Sequence, residues 1–295
     1  MYLSRLFVLL LLLLPLSVMA GGQNEVTEEE QYRQWAQTFW HSLDRLTGEI
    51  KLDNAVATLN VPQEFYYLSP DDAKRVLEEV WGNPPGQKTL GMLFPADMTP
   101  FDQGSWAVTI EYEEDGYVSD EDADEINYAD LLVQMQAETR EASAQRVKQG
   151  YQPIELIGWA APPYYDKSSH KLHWAKEIKF GDMQVNTLNY NIRVLGRKGV
   201  LVLNFIAQMD QQELIEANLG SVLALAEFDA GSRYADFDPQ IDEVAAYGLG
   251  ALVAGKMIAK TGFFAAALMF LKKFGVIILV SVLAFLKGLL SRKKA

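Results

Sequence analysis

The sequence predicts an α+β domain built on an antiparallel sheet with packed helices, followed by a C-terminal transmembrane helix. Three observations predict this class. Apolar and polar residues alternate through the second half, as in "TLNYNIRVL" (187–195), which is typical of strands. Helix signals with capping residues lie between the strand patterns. An uncharged run of thirteen residues, Phe274 to Leu286, lies near the C-terminus and favours a membrane span.

The first half of the domain combines short strands with one clearly delimited helix. The strand patterns are "GEIKL" (48–52), "NAVATLN" (54–60), "EFYYL" (64–68), "TLGMLF" (89–94) and "SWAVTIEY" (105–112). The first two are expected to form a hairpin that turns at Asp53 and Asn54. A helix is expected after Ser69, a suitable N-cap, with Pro70 at its first position, and residues 82–85 should end it.

The second half predicts a long helix and then a four-strand meander. The helix covers Tyr128 to Lys148, and three residues of the acidic loop 113–125 before it, Ser119, Asp120 and Asp122, are expected to cap it. The four strands are "IELIGWA", "KLHWAKEIKF", "TLNYNIRVL" and "VLVLNFIAQ". Their alternation predicts a sheet with one buried face and a polar, solvated one. A further helix is expected over about 211–226.

The N-terminus has the pattern of an exported protein. Residues 1–20 carry Arg5, then a short apolar run, and end in small residues at Val18 and Ala20, which predicts a cleaved signal peptide. An uncleaved anchor is the alternative. Residues 21–47 form a polar stem, and the exported α+β domain covers 48–246.

The C-terminus is expected to contact the membrane. Residues 247–271 form an amphipathic or membrane helix with a stripe of small residues at Ala251, Gly255 and Ala259, through which copies of the chain could associate. This helix either lies at the lipid interface or forms a second span. Residues 272–295 form the transmembrane anchor, whose basic end is predicted to be cytoplasmic.

Charge and cysteine content exclude several classes of function. The net charge of the whole chain is −13, yet the segment after Tyr247 contains eight Lys and Arg residues and no acidic residue. Residues 21–246 therefore hold 17 basic residues against all 39 acidic ones. Such an acidic domain is repelled by nucleic acid, so no nucleic-acid partner is expected. The absence of cysteine excludes thiol nucleophiles and thiolate metal sites.

Several long segments are specific enough to indicate a family: "ATLNVPQEFYYLSPDDAKRVLEEVWGNPPG", "LGMLFPADM", "DGYVSDEDA", "GWAAPPYYDKSSHKLHWAKE", "LNYNIRVLGRKGVLVLN" and "GSRYADFDPQIDEVAAYG". Over about 48–260 they resemble a bacterial family of predicted membrane-anchored proteins, the domain of unknown function 2167. The resemblance implies a signal sequence, an exported domain and a C-terminal anchor. No catalytic residue or ligand is implied.

The candidate site residues lie in two segments. A stiff loop, Pro162 to Asp166, presents Tyr164, Tyr165 and Asp166 as a recognition surface. His170 and His173 follow it at a spacing that would suit a metal on a helix, but a strand beginning at Lys171 places them on opposite faces, so no metal is predicted. In the turn "GRKG", Arg197 is an exposed cation that could hold a phosphate or a partner carboxylate.

The sequence favours a non-enzymatic binding or assembly module of the cell envelope, anchored in the bacterial inner membrane with its main domain in the periplasm. No cofactor is predicted. Its expected partners are the lipid bilayer, through the C-terminal helix, and an envelope protein. The alternative is a membrane-anchored hydrolase or metal-dependent enzyme that uses the Tyr164–His173 region.

Overall fold

The computed structural model describes residues 27–52, 56–86 and 88–254. The chain divides into two compact units, residues 1–42 and 43–295. In the first unit, helix α1 (Glu28–His41) begins with a capping box, in which the Thr27 hydroxyl accepts from Glu30 N and the Glu30 carboxylate accepts from Thr27 N. The predicted signal peptide, the transmembrane anchor and two members of the small-residue stripe, Gly255 and Ala259, lie outside the described residues.

The second unit holds ten strands and four helices among its described residues. The strands are β1 (Gly48–Lys51), β2 (Ala57–Val61), β3 (Phe65–Leu68), β4 (Gly91–Pro95), β5 (Ala107–Glu113), β6 (Ile154–Asp166), β7 (Lys171–Phe180), β8 (Thr187–Leu195), β9 (Val200–Gln208) and β10 (Ala226–Phe228). The helices are α2 (Pro70–Arg75), which continues as a π-helical turn over Val76–Val80, α3 (Tyr128–Lys148), α4 (Gln212–Leu225) and α5 (Leu249–Ala254).

All strand pairs are antiparallel and form two sheets. One has the order β1-β2-β10, and the other has the order β3-β4-β5-β9-β8-β7-β6. The predicted mixed α and β class with an antiparallel sheet is confirmed, and so is the meander, which is the β6 to β9 portion of the large sheet. The predicted hairpin of β1 and β2 is also present.

The helix boundaries follow local sequence signals, with one correction. Ser69 caps α2 by accepting a hydrogen bond from Asp72 N, and Pro70 takes the first position, as predicted. Helix α3 covers the predicted residues, but its N-cap is Asn127, whose side chain accepts from Ala129 N and Asp130 N. The expected anionic cap is therefore wrong, because the acidic loop before α3 is occupied by other contacts.

Both faces of the large sheet are covered, which corrects the prediction of a solvated polar face. One face packs on the small sheet and α4 and holds the apolar residues of β8, such as Leu188 and Ile192. On the other face, α3 and α5 pack over Leu156, Leu172 and Trp174. Asn191 on this second face is only 4% exposed, because helices flank it.

Helix α5 is short, and its buried residues Leu249, Leu252 and Val253 join the core of the second face. Among the three described stretches of the chain, no helix has both the length and the apolar character needed to cross a bilayer. Ala251 lies in α5 and is half-buried. Self-association through the small-residue stripe stays a prediction.

Candidate functional site

The predicted Pro-Tyr loop is part of a strand. Residues 162–166 belong to β6, the edge strand of the large sheet, and register shifts between Ala161 and Tyr164 mark a bulge there. Edge strands and bulges tolerate proline, because the missing N–H is not needed for pairing. Tyr164 points outward and is 65% exposed. Of the predicted recognition surface, this one tyrosine is presented to solvent.

Asp166 organises the turn between β6 and β7. Its carboxylate accepts hydrogen bonds from Ser168 N at 2.8 Å, Ser168 Oγ at 2.7 Å and Ser169 Oγ at 2.6 Å. The bonds from Ser169 and Ser168 hold the pKa of Asp166 far below its ordinary value. A carboxylate engaged in this way is a turn-forming acceptor of the Asx type and a poor general base.

The two histidines lie on opposite faces of the sheet. His170 ends the turn with a φ of 52°, and its ring packs against Tyr234 at 4.2 Å between centroids. Leu172 and Trp174 also pack on that face, so the strand alternation directs His173 to the other face. Burial lowers the pKa of His173. Within the described residues no group of three or more His, Asp and Glu side chains is placed to hold a metal ion.

Tyr165 and His170 belong to a cluster centred on Asp120. Tyr165 donates its hydroxyl to Asp120 Oδ2 at 2.7 Å, and Tyr234 donates to Asp120 Oδ1 and to Val118 O, each at 3.1 Å. His170 Nδ1 lies 3.6 Å from Asp120 Oδ2. This cluster joins the acidic loop, the β6–β7 turn and the segment after β10.

The ionisation of this cluster fits a structural clamp. Burial by itself would raise the pKa of Asp120, but the hydrogen bonds from Tyr165 and Tyr234 outweigh it and the net shift is downward. Burial and the bond to Asp120 raise the pKa of Tyr165. At neutral pH the phenols therefore remain donors and the carboxylate remains an acceptor.

Other carboxylates of the acidic loop have similar roles. Asp115 accepts from the Tyr247 hydroxyl, Asp122 from Leu249 N, and Asp124 from Lys167 Nζ. The loop therefore fastens the β6–β7 turn and the segment leading to α5. The sequence predicted only that this loop caps α3, since the partners of its carboxylates lie up to 132 positions away along the chain.

Arg197 is paired, which corrects its expected role as a free exposed cation. Its Nε donates to Asp242 Oδ2 at 2.6 Å, and its Nη1 donates to Gly231 O at 3.2 Å. The Asp242 side chain is only 1% exposed. Hydrogen bonding to Asp242 raises the pKa of Arg197. The pair anchors the segment after β10 to the β8–β9 turn.

The structure also contains a cleft that was not found from sequence. A cleft of about 720 Å³ lies over the second face of the large sheet. One wall is Trp81 and Asn83, just after the π-helical turn, and the other is Arg146 and Tyr151, at the end of α3. The floor consists of side chains from β5, β7, β8 and β9, including Thr109, Glu111, Ile178, Asn189, Asn204 and Gln208.

Asparagines order the floor of the cleft. Asn191 Nδ2 donates to Asn189 Oδ1 at 3.0 Å, and Asn189 Nδ2 donates to Asn204 Oδ1 at 2.5 Å. The ladder crosses two strands and fixes the orientation of each amide. It leaves the Asn204 Nδ2 without a hydrogen bond within the described residues and beside the cleft. Ser105 also lines the cleft, and its buried Oγ has no partner there either.

Two cations lie on the same face as this floor. Lys176 stands two residues before Ile178 on β7 and pairs in register with Asn189 on β8. Arg193 stands two residues after Asn191, and its guanidinium lies 4.9 Å from the centroid of the Trp174 ring. Alternation along each strand therefore places both cations on the same face of the sheet as the floor, although neither lines the cleft.

Comparison with known proteins places the chain in a family. Residues 44–283 match the family described as "Protein of unknown function (DUF2167)". No curated protein matches. The solution structure of cyanobacterial PsbP (CyanoP) from Synechocystis sp. PCC 6803 is similar over 64% of this chain and 93% of that chain, with 13% identity and a TM-score of 0.34. That score carries no functional inference. The match over most of its length shows that this chain belongs to the DUF2167 family.

Proposed function

We propose that this protein is a non-enzymatic binding module of the cell envelope, whose ligand occupies the cleft between α2 and α3. The carrying observation is the cleft itself, which has an ordered polar floor. Its volume of about 720 Å³ lies in the range of small-molecule sites, roughly 300 to 1,000 Å³.

The polar groups of the cleft support a binding role. A buried hydroxyl without a partner costs about 1 to 3 kcal/mol, and Ser105 Oγ is such a group within the described residues. Asn204 Nδ2 offers a further donor at the floor. A ligand that accepts a hydrogen bond from Ser105 would recover that cost, which supports a binding role for the cleft.

In the cell, we infer from the sequence that the domain is exported and tethered to the inner membrane by the C-terminal segment. A tethered module suits the capture of a ligand at the membrane surface. Its partner would then be another envelope component.

A direct test uses the full chain, extracted from cells in mild detergent and examined by native mass spectrometry. We expect a bound small molecule that is lost when Asn204→Leu and Trp81→Ala alter the floor and one wall. Tyr164→Ala is the control, because this exposed side chain lies outside the cleft. Retention of the molecule by both cleft variants, or its loss from Tyr164→Ala alone, would refute the cleft as the site.

One observation favours a second candidate, contact with a protein partner at Tyr164. This side chain is 65% exposed on an edge strand, and the buried Pro163 fixes the backbone beside it. Rigid exposed aromatic residues give contact area at a low entropic cost. Site-specific photo-cross-linking from position 164 in intact cells tests this, and a defined cross-linked protein is the expected result.

A further inference from the structure

A backbone carbonyl fixes the direction of the asparagine ladder on the floor of the cleft. Asn191 Nδ2 donates to Asn189 O at 2.9 Å, and because a carbonyl only accepts, this end of the Asn191 amide is its NH2 group. The same Nδ2 donates to Asn189 Oδ1, which leaves Asn189 Nδ2 to donate to Asn204 Oδ1. The ladder therefore ends in a hydrogen-bond donor, the NH2 group of Asn204, on a residue that lines the cleft.

The strand register places an apolar residue between the polar groups of the floor. Asn204 pairs with Thr109 on β5, and Ser105 lies four residues before Thr109, which is about 13 Å along an extended chain. Ile206 lines the cleft between these two levels and pairs with Asn189 on β8. The floor thus has an apolar centre with amide and hydroxyl groups at its ends and along one side.

The aromatic residues of the walls are held in place by their own contacts. Trp81 Nε1 donates to Pro100 O at 3.1 Å, and the Trp81 ring lies 5.8 Å from that of Phe94 between centroids. On the other wall, the Arg146 guanidinium lies 5.5 Å from the centroid of the Tyr151 ring. Rings that are fixed before binding provide apolar contact area at a low entropic cost.

The charged side chains of the cleft already have solvent or protein partners. Within the described residues these side chains are Lys88, Glu111 and Arg146. Lys88 is exposed, and Arg146 Nε donates to Gln152 O at 3.3 Å. Burial lowers the pKa of Arg193, and the charge of Glu111 offsets part of this change from across the sheet. The groups that remain for recognition are amides, hydroxyls and rings, which favours an uncharged ligand.

We propose that the ligand of the cleft is a neutral saccharide of at least two sugar rings. This inference rests on the proposed function and names the chemical class of its ligand. A sugar hydroxyl both donates and accepts, so it can accept from Asn204 Nδ2 and bond with Ser105 Oγ, which has no partner in the described structure. The C–H face of a sugar ring is apolar and suits Ile206 and Trp81. A single ring is too short to reach both ends of a floor about 13 Å long.

Calorimetric titration of the full chain tests the inference, in an amine-oxide detergent because its headgroup is not a sugar. The probes are cellobiose, maltose and N,N′-diacetylchitobiose, with glucose, N-acetylglucosamine and the neutral peptide trialanine for comparison. We expect at least one disaccharide to bind, and to bind at least tenfold more tightly than its monosaccharide. Failure of all three disaccharides to bind, equal affinity for the monosaccharide, or tighter binding of trialanine would overturn the proposal.

Variants of the floor connect this binding to the cleft. Asn204→Leu should weaken binding of the disaccharide at least tenfold, whereas Asn60→Leu, at an exposed asparagine on β2, should not change it. Ser105→Ala should weaken binding several-fold without lowering Tm, because it removes a hydroxyl that bonds to no described residue. Wild-type affinity in both floor variants would refute the site.

Native mass spectrometry separates this inference from the proposed function. If a natural ligand is lost from Asn204→Leu but its fragments contain no sugar, the cleft function stands and the saccharide assignment fails. If no natural ligand is retained by the cleft and no disaccharide binds, both fail.

Discussion

Replacement of Lys176 by methionine should stabilise the free protein. The lysine has no hydrogen bond or ion pair in the described residues, so methionine, of similar length, removes a charge and no bond. The pKa of Lys176 falls from the ordinary 10.5 to about 8 because burial, reinforced by Arg193, disfavours the charged form. A shift of this size corresponds to at most about 3 kcal/mol of destabilisation at neutral pH.

The pH dependence separates this charge effect from better packing. When the pKa of a base is lower in the folded state, the destabilisation is complete below about pH 8 and declines as the pH rises to 10.5. Above that value both folded and unfolded chains carry a neutral amine. The advantage of Lys176→Met over the wild type should therefore be largest at pH 7 and small near pH 10.5.

The assay is differential scanning fluorimetry of both full chains in the same detergent. For a domain of this size, 3 kcal/mol corresponds to an increase in Tm of roughly 6 to 12 °C, and solvent screening of the half-buried group will reduce it. Both chains contain the same buried tyrosines, so the effect of tyrosine ionisation on Tm cancels when the two Tm values are compared at each pH. A variant that is less stable than the wild type at pH 7, or one whose advantage is independent of pH, would refute the reasoning.

Three further substitutions test the structural assignments. Tyr234→Phe removes the one hydroxyl proton that Val118 O and Asp120 Oδ1 share, and should lower the free energy of unfolding in urea by about 1 to 2 kcal/mol, whereas Tyr164→Phe should be neutral. Asp242→Asn should lower Tm at neutral pH, and the difference should shrink below about pH 4, because hydrogen bonding to Arg197 lowers the pKa of Asp242 and its stabilisation is lost on protonation. Gly199→Ala should lower the free energy of unfolding by about 1 to 3 kcal/mol, since the added Cβ would lie 2.2 Å from Glu113 O. Gly220 lies in α4, where an added Cβ meets no atom within 4 Å, so Gly220→Ala should raise the free energy of unfolding by about 1 kcal/mol.

The parts of the fold that depend on local signals could be predicted. Strand β7 begins at Lys171 and ends at Phe180, as the alternation indicated, and α3 has the predicted bounds. The Ser69–Pro70 start of α2 follows from capping chemistry that acts within four residues. Residues close in sequence decide these features, so one sequence is sufficient to find them.

The cleft could not be predicted because its residues meet only through sheet order. Strand β5 lies next to β9, about ninety positions later, and the floor combines Thr109 with Asn204 through that pairing. The alternation on β8 correctly separated Asn189 and Asn191 from the apolar positions. It could not tell a polar face open to solvent from one flanked by two helices, since that depends on where α2 and α3 pack.

The sequence pattern was equally unable to show the partners of the carboxylates in the acidic loop. A run such as residues 113–125 is typical of a solvated segment, and the sequence predicted only that it caps the helix that follows. In the fold, Asp115, Asp120 and Asp122 accept hydrogen bonds from Tyr247, Tyr234 and Leu249, which lie far along the chain. Carboxylates that act as acceptors for a returning segment have the same local pattern as solvated ones.

The charged groups of this domain differ in whether they have partners within the fold. Acidic residues of the loop are satisfied by tyrosine hydroxyls and backbone N–H groups, and the Arg197–Asp242 pair is satisfied internally. Lys176, in contrast, is half-buried and has no such partner in the described chain. Stability alone would favour its replacement by an apolar residue, as the Lys176→Met prediction makes measurable.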